Sequence, residues 1–462
     1  MAGSEIIGKE EFQEIKKVFE KNPVNLYRYG GGNYASRKLE EKISKYFSVK
    51  YSHVVSSGTA AIHCALAGSG VGPGDEVITT GFTFLAPIEA ICSLGAVPVI
   101  VDINETFNLN PDEVEKAITN KTKAILSIPM WSAPDMDRLV NISKKYDIML
   151  IEDSAQSLGA SYKSKKIGTF GSVASFSFDA GKTLHTGEGG VVITNDKDIY
   201  DKVAEFSDHG HMHEEGLPRG KDPRRKPGLN YRMSEVTAAI GIAQFNKLDF
   251  ILERCTRNKY LIKNKLKKLK NITFRKFDDE EGAQGDTLIF SLKNRKMAIE
   301  FEKRLNDFGY STKILPEAMD WHFAGSWIHL LENIDIYRDY SFLEKDHLDG
   351  KYITIHLDEK WFTKYYYSDF TDINPTSDQL DIFINKILKT LNDKYNIVIT
   401  TGLKNLDVLK DYTKNFDQVS QNKFLKKINQ NKVIFIKNSS FNDLEAIIKN
   451  SSFLICCEGG VS

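Results

Sequence analysis

Neither sign of charge is in excess in this chain of 462 residues: 62 Lys and Arg stand against 62 Asp and Glu. Without a basic surplus there is no electrostatic footprint for nucleic acid or an anionic membrane, so neither is expected as a partner; a local anion site stays open. No apolar run approaches the ~20 residues needed to cross a bilayer. The opening residues, with Lys9, Glu10 and Glu11 close behind, lack the basic-then-apolar layout of a secretion signal. Cysteines are few and scattered, at Cys64, Cys92, Cys255, Cys456 and Cys457. They have no metal-ligand spacing and read as the reduced thiols of a cytoplasmic protein, and no metal is expected. Internal repeats and low-complexity tracts are absent too. What is present is ordinary for a globular chain, 41% hydrophobic and 27% charged, with length for two large domains or about three average ones.

After a lead-in with a helix predicted over Lys9–Glu20 and a glycine turn at Gly30–Gly32, helical patterns alternate with short apolar runs. Glu76–Thr79, Val97–Val101, Ala124–Leu126 and Ile148–Ile151 read as buried parallel strands, which implies βαβ units and an α/β fold. Ser234–Leu269 reads as one helix, with Ala238, Ala239, Ile242, Phe245 and Leu248 on a shared face. A smaller α+β segment follows: a strand near Thr287–Leu292, a helix over Lys296–Phe308 and a strand ending before Pro316. Composition then shifts toward Lys, Asn and Asp, and a domain boundary is expected between about 338 and 350. Beyond it a second β/α rhythm is predicted: strands at Tyr352–Ile355, Ile397–Thr400, Val433–Ile436 and Phe453–Ile455, helices at Ser377–Asn392 and Asn442–Lys449.

Three signals carry chemistry. Ser56-Ser57-Gly58-Thr59-Ala60-Ala61 opens a helix directly after an apolar run, where free backbone N–H groups and the helix dipole favour an anion such as phosphate. Alone it equally suits an ordinary capped helix. Glu152-Asp153 ends a buried strand, the place where open α/β sheets bind ligands; an acid there also suits a helix N-cap. Lys182 lies between the strand-like Ser175–Phe178 and the turn Gly187-Glu188-Gly189-Gly190, where desolvation would lower its pKa and free the amine for Schiff-base chemistry. A lone lysine is more often a solvated surface residue. The three occur in order at strand ends of one sheet, and together they match what pyridoxal 5'-phosphate needs: a phosphate anchor, an acid for the pyridine nitrogen and a lysine for the aldehyde.

With Gly72-Pro73-Gly74-Asp75-Glu76-Val77, Thr83-Phe84, Glu152–Gln156, Lys182, Gly187–Gly190 and Gly228-Leu229-Asn230-Tyr231-Arg232, residues from about 5 to 335 resemble the DegT/DnrJ/StrS sugar aminotransferases. That resemblance implies a fold-type-I pyridoxal-phosphate transferase: a large cofactor-binding domain at 1–245, a small α+β subdomain at 246–340, and a separate segment at 350–462. It implies Lys182 and Asp153 as catalytic residues. Gly58, Thr59 and Ser177 would hold the phosphate, Phe84 would lie on the ring and Gln156 near its phenolic oxygen. Asn230 would come from a neighbouring subunit, so a homodimer with shared sites is expected. The family's Val-His-(Leu/Met)-x-Gly loop is replaced by Ile128-Pro129-Met130-Trp131-Ser132, a departure that bears on substrate.

Within the family, Arg28-Tyr29-Gly30, Asp208–His213, Asn230–Met233 and Trp321–Trp327 resemble the branch that aminates 3-deoxy-octulosonate, with glutamate as donor. This implies the 8-oxo form of that lipopolysaccharide sugar as acceptor and points to His209, His211, Arg224, Arg225, Trp321 and His322 as substrate residues. The basic loop Arg219–Lys226 would supply cations for its carboxylate. Alternatives are a nucleotide-linked keto-sugar as acceptor, or a non-catalytic scaffold with a decayed site. A sugar dehydratase of the same fold carries His in place of the lysine and is disfavoured by Lys182. His209, His211 and His213 alternate and would share a face on a strand. The tail resembles part of the nucleotide-sugar-binding half of a GT-B-like glycosyltransferase, a partial Rossmann-like unit, through Ile355–Trp361, Ile399–Gly402 and Cys457–Ser462.

Overall fold

The computed structural model describes residues 3–21, 26–28, 32, 34–214, 216–315, 322–327, 330, 352–357, 396–401, 417–420, 423–428, 431–436 and 453–455. The chain divides into two compact units, Met1–Trp327 and Ile328–Ser462. The first is built on β1 (Tyr51–Val55), β2 (Glu76–Thr80), β3 (Val97–Val101), β4 (Thr122–Ser127) and β5 (Met149–Asp153). A small hairpin, β6 (Ser161–Tyr162) and β7 (Lys165–Lys166), precedes β8 (Val173–Ser177) and β9 (Gly190–Thr194). Seven of these form one sheet in the order β1-β9-β8-β5-β4-β2-β3. Only β9 runs against its neighbours; β8, β5, β4, β2 and β3 pair in parallel.

Side chains alternate across a strand, so consecutive residues feed opposite layers. Val55, Leu126, Ile151 and Val192 face a core shared with α3 (Gly58–Gly68), α4 (Ala86–Ser93) and α7 (Lys197–Ser207). Their neighbours Val54, Val191 and Ile193 face α2 (Ala35–Phe47) and α8 (Glu235–Asn246). Ile125 and Leu150 face α5 (Pro111–Lys116) and α6 (Met136–Tyr146). Both faces are thus covered, as a parallel sheet requires. Each buried Val, Leu or Ile contributes roughly 1.5–3 kcal/mol to the core. Helix starts are capped by side chains: Ser57 accepts from Ala60, Asp135 from Arg138 and Asp196 from Asp198 and Ile199.

The lead-in helix is α1 (Lys9–Lys21). The single helix expected over 234–269 is two, α8 and α9 (Leu248–Leu266). The break at Lys247 coincides with a long-range tie: its ammonium donates to Glu11 at 2.8 Å and to the Ile6 carbonyl at 2.8 Å. Residues 246–327 belong to the same compact unit as the seven-stranded sheet. They carry β10 (Ile272–Phe274) paired antiparallel with β11 (Phe290–Leu292), and α10 (Arg295–Asp307). No strand forms over 310–315, where one was expected before Pro316. Residues 310–313 are exposed, so nothing buries such a strand.

The second unit holds a six-stranded sheet, β14-β15-β16-β13-β12-β17, made of β12 (Tyr352–Leu357), β13 (Asn396–Thr401), β14 (Asp417–Ser420), β15 (Lys423–Ile428), β16 (Asn431–Ile436) and β17 (Phe453–Ile455). The four strands expected from apolar runs are its parallel part, and the Lys-rich β15 was not anticipated. The helices expected at 377–392 and 442–449, the turn Gly30–Gly31, and the residues 358–361, Gly402 and 457–462 of the tail resemblance lie outside the described residues. No described helix is long and apolar enough to cross a membrane.

Glu152 illustrates how the first unit holds its loops. Its carboxylate is fully buried and accepts the N–H groups of Gly168, Phe170 and Gly171, each at 2.7 Å. Glu152→Ala would strand one buried and two half-buried donors and is expected to destabilise the protein by about 3 kcal/mol. Glu152→Gln keeps one acceptor and should cost less. Thermal denaturation of both variants measures this, and an unchanged midpoint in the alanine variant would contradict it.

Candidate active site

The carboxyl ends of β1, β5 and β8 and the amino end of the reversed β9 open on one edge of the sheet. There, residues of the first unit line a cleft of about 1450 Å³ that includes Gly58, Thr59, Phe84, Asp153, Gln156, Ser177, Lys182 and His322. Seven of the eight cofactor-binding positions expected from sequence therefore share one cavity.

The phosphate-side geometry follows from close packing. Ser57 caps α3 by accepting from Ala60 N–H at 3.0 Å, while the helix offers no partner to the N–H groups of Gly58 and Thr59. A Cβ on Gly58 would lie 2.6 Å from Ser177 Cβ and 2.7 Å from its hydroxyl. Only glycine lets the helix start come this near the end of β8. The result is a pair of amides and a hydroxyl at the positive end of a helix dipole.

Asp153 ends β5 on the face opposite to Glu152, so one acid of the pair ties the 168–171 loop and the other looks into the cleft. Its Oδ1 accepts from Ala155 N–H at 3.2 Å and Ser175 Oγ at 3.4 Å. Loss of solvent pushes its carboxyl up to about 6, against the lowering effects of the Ala155 N–H, the Lys182 charge and the Ser175 hydroxyl.

Lys182 stands on a turn closed at its base by Phe178 N–H on the Gly189 carbonyl and Thr186 N–H on the Phe178 carbonyl. Within it Asp179 accepts Gly181 N–H at 2.8 Å and its carbonyl accepts Lys182 N–H at 2.9 Å. Desolvation lowers the pKa of the Lys182 amine, while Asp153, Asp179 and Asp286 oppose that shift. Phe84 is exposed in the cleft, its ring 5.6 Å from that of His322. The 322–327 segment reaches this place by pairing with the 81–83 strand end, Thr83 N–H on the His322 carbonyl and Ala324 N–H on that of Gly81. Burial, with Lys182 and Lys313 nearby, pushes the His322 imidazole down to about 4.

Other expected residues lie elsewhere. His209, His211, Arg224, Arg225 and Asn230 do not line this cleft. The three histidines share no strand face: His209 and His213 have φ of 56° and 55°, and His211 is buried between Asp222 at 3.0 Å and Arg224 at 3.0 Å. The basic loop is not a row of free cations, because Arg219 pairs with Asp208, Arg225 with Glu205 and Arg224 meets His211. Asn230 is exposed. Trp321 lies outside the described residues. No metal-holding cluster of His, Cys, Asp and Glu exists among the described residues.

The small α+β part contributes to the site through residues that no sequence pattern marks. Arg275 donates to the Thr106 carbonyl at 2.7 Å and to the Met130 carbonyl at 2.7 Å, which fixes the loop that replaces the family pattern. Trp131 in that loop lines the cleft with a φ of 62°. Gln284 and Asp286 stand on the wall beside Lys182. These residues sit in loops without apolar periodicity, so no local signal marked them.

An α/β unit with this strand order and a lysine and an aspartate converging at the sheet's carboxyl edge defines the fold-type-I pyridoxal-phosphate transferases. The chain belongs to the DegT/DnrJ/EryC1/StrS aminotransferase family, which matches residues 5–316. It is 41% identical over 226 residues to the GDP-perosamine synthase of Escherichia coli O157:H7, covering 48% of this chain and 60% of that protein. It is 34% identical over 257 residues to the spore coat polysaccharide biosynthesis protein SpsC of Bacillus subtilis, covering 54% and 64%. The chain thus spans less than two thirds of the length of these curated relatives. Among solved structures, an aminotransferase from Psychrobacter cryohalolentis superposes with a TM-score of 0.61 at 27% identity, covering 66% of this chain and 82% of that one. NtdA from Bacillus subtilis, solved with bound cofactor PMP, gives 0.58 at 27% identity, covering 67% and 70%.

The raised Asp153 pKa has a stability consequence. A folded value near 6 above an unfolded value near 3.8 means the folded state holds the proton more tightly. The contribution of Asp153 to stability is therefore highest below about pH 4, falls as pH rises toward 6 and stays lower above that. Asp153→Asn should stabilise the ligand-free protein by up to about 3 kcal/mol at pH 8 and leave it nearly unchanged at pH 4. Melting curves at the two pH values test this; equal effects at both would contradict it.

Proposed function

We propose that the protein is a pyridoxal-phosphate-dependent aminotransferase that moves an amino group from glutamate to a carbonyl sugar. The observation carrying this reading is the convergence of Lys182, Asp153 and the Gly58–Ser177 cradle in one cleft. The residues fit the cofactor: a Cβ on Gly58 would fill the cradle, and Asp153, whose Oδ1 takes two donors, lines the same cleft. When bound, pyridoxal phosphate supplies a carbonyl that carries the amino group and a ring that takes up the electron pair at the reacting carbon.

The chain's own residues divide the remaining work. The Gly58 and Thr59 amides and the Ser177 hydroxyl bind the phosphate. Asp153 pairs with the ring nitrogen, and a cationic partner there relieves the desolvation that raises its pKa. Lys182 holds the cofactor aldehyde at rest; its lowered pKa leaves the amine able to take a proton from the substrate carbon and return it. Phe84 covers the ring and Gln156 meets its phenolic oxygen. Asn230, exposed and away from this chain's cleft, suits the cleft of a second copy, which supports a homodimer with shared sites.

Two acceptors suit this reading. The names of several relatives, GDP-perosamine synthases, favour a nucleotide-linked keto-sugar. The resemblance of Asp208–His213 and Trp321–Trp327 to the octulosonate branch favours the 8-oxo form of 3-deoxy-octulosonate, with Trp321 and His322 as substrate residues; His209, His211, Arg224 and Arg225 lie off this chain's cleft and would meet substrate only at the cleft of a second copy. In our reading the second unit is a partial Rossmann-like segment of the glycosyltransferase type, and the work of the enzyme is cytoplasmic.

A single-turnover experiment tests the class and separates the acceptors. Glutamate added to the pyridoxal-loaded protein should convert the cofactor to its amine form, and only the true acceptor should restore the aldehyde spectrum. Lys182→Ala should lose at least about 10³-fold of the rate. A lysine-free variant that still turned over, or a wild-type protein that bound no cofactor, would overturn the reading and favour the decayed-site alternative.

A further inference from the structure

The turn between β10 and β11 meets the Lys182 turn through a compact polar network. Gln284 N–H donates to the Trp131 carbonyl at 2.9 Å, and its side-chain amide donates to the Thr183 hydroxyl and to Asp286 Oδ2, the latter at 3.2 Å. Asp286 also accepts from Thr183 at 3.4 Å and from Thr287 at 3.1 Å. All three donors are neutral, so they fix the carboxylate without cancelling its charge. Asp286 is exposed and lines the cleft. On its far side lies Lys259, a buried amine on α9 that donates to the Gln284 carbonyl at 2.7 Å.

Three carboxylates act on the Lys182 amine: Asp153, Asp179 and Asp286; His322 lies near it, with Lys313 beyond. Asp179 is committed to the Gly181 N–H that shapes the turn. Asp153 is assigned to the ring nitrogen, whose positive charge offsets its own. We infer that Asp286 is a positioning residue for Lys182, the carboxylate that stabilises the ammonium form of its side chain while Asp153 is engaged with the cofactor. The role rests on the reading of Lys182 and Asp153 given under Proposed function. It gives the amine a place to stand, beside Thr183, when it is not holding the cofactor.

The test uses the full-length protein freed of cofactor. Competitive acetylation across about pH 8–11, where carboxyl groups are ionised, with mass spectrometry of the lysine peptides, gives the midpoint of each amine. Removing a nearby negative charge disfavours the ammonium. Asp286→Asn, which preserves the shape of the side chain and keeps one acceptor oxygen while removing the charge, should therefore lower the Lys182 midpoint by about one pH unit. Asp286→Ser should do the same, and Asp286→Glu should restore the wild-type value. If Asp286→Asn and Asp286→Ser move Lys259 alone and leave Lys182 in place, Asp286 serves the α9 lysine and the inference is overturned. Borohydride trapping of pyridoxal phosphate on Lys182, run separately, tests the cofactor reading: its failure would remove that reading whatever the midpoints show.

Discussion

The active-site edge depends on how closely the first turn of α3 approaches the end of β8. There is no room for a methyl group between Gly58 and Ser177, so helix start, strand end and the amides between them form one rigid corner. The same strand continues into the turn bearing Lys182, and β5 beside it ends in Asp153. An anion site, an acid and an amine are thereby spaced by sheet geometry, which is stiffer than any loop could make them. The reversed β9 completes the arrangement, because its start lies at the same edge and closes the Lys182 turn at its base.

The corner works against the stability of the fold. Asp153 and Lys182 are both kept from water, and each is pushed away from its ionised form. A core chosen only for stability would place neutral side chains there. The neighbouring Glu152, equally buried, shows the contrasting use of an acid: three N–H donors hold it, and it serves the loop beneath. Two adjacent carboxylates on one strand thus have opposite tasks because successive side chains point to opposite faces.

Much of this was legible in the sequence. Strands β2 to β5 announce themselves as apolar runs between turn signals, and Gly58, Asp153 and Lys182 stand out because each falls at the end of such a run. The break at Lys247 was not legible, since neither glycine nor proline marks it; it coincides with the tie to Glu11, distant in the chain. His209, His211 and His213 suggested a shared face, but that inference assumed a strand, and positive φ at two of them sends the backbone elsewhere. Arg275, Gln284 and Asp286 carried no local signal, because their importance lies in which carbonyls and hydroxyls the tertiary fold brings to them. Local patterns specify elements and strand ends, whereas the residues that tune the site are set by contacts between distant segments.

The meeting of the Lys182 turn with residues far away in the chain also bears on synthesis. A Cβ on Gly3 would lie 2.7 Å from the Thr183 carbonyl, and Gln284 braces the same residue from the other side. The ribosome makes one of these supports first and the other about a hundred residues after the lysine, and domains fold as their chain emerges. The wall that Gln284 and Asp286 form beside Lys182 therefore belongs to the part of the unit that is made last, and the cleft is closed on that side only after the lysine, the aspartate and the Gly58 corner have all been synthesised.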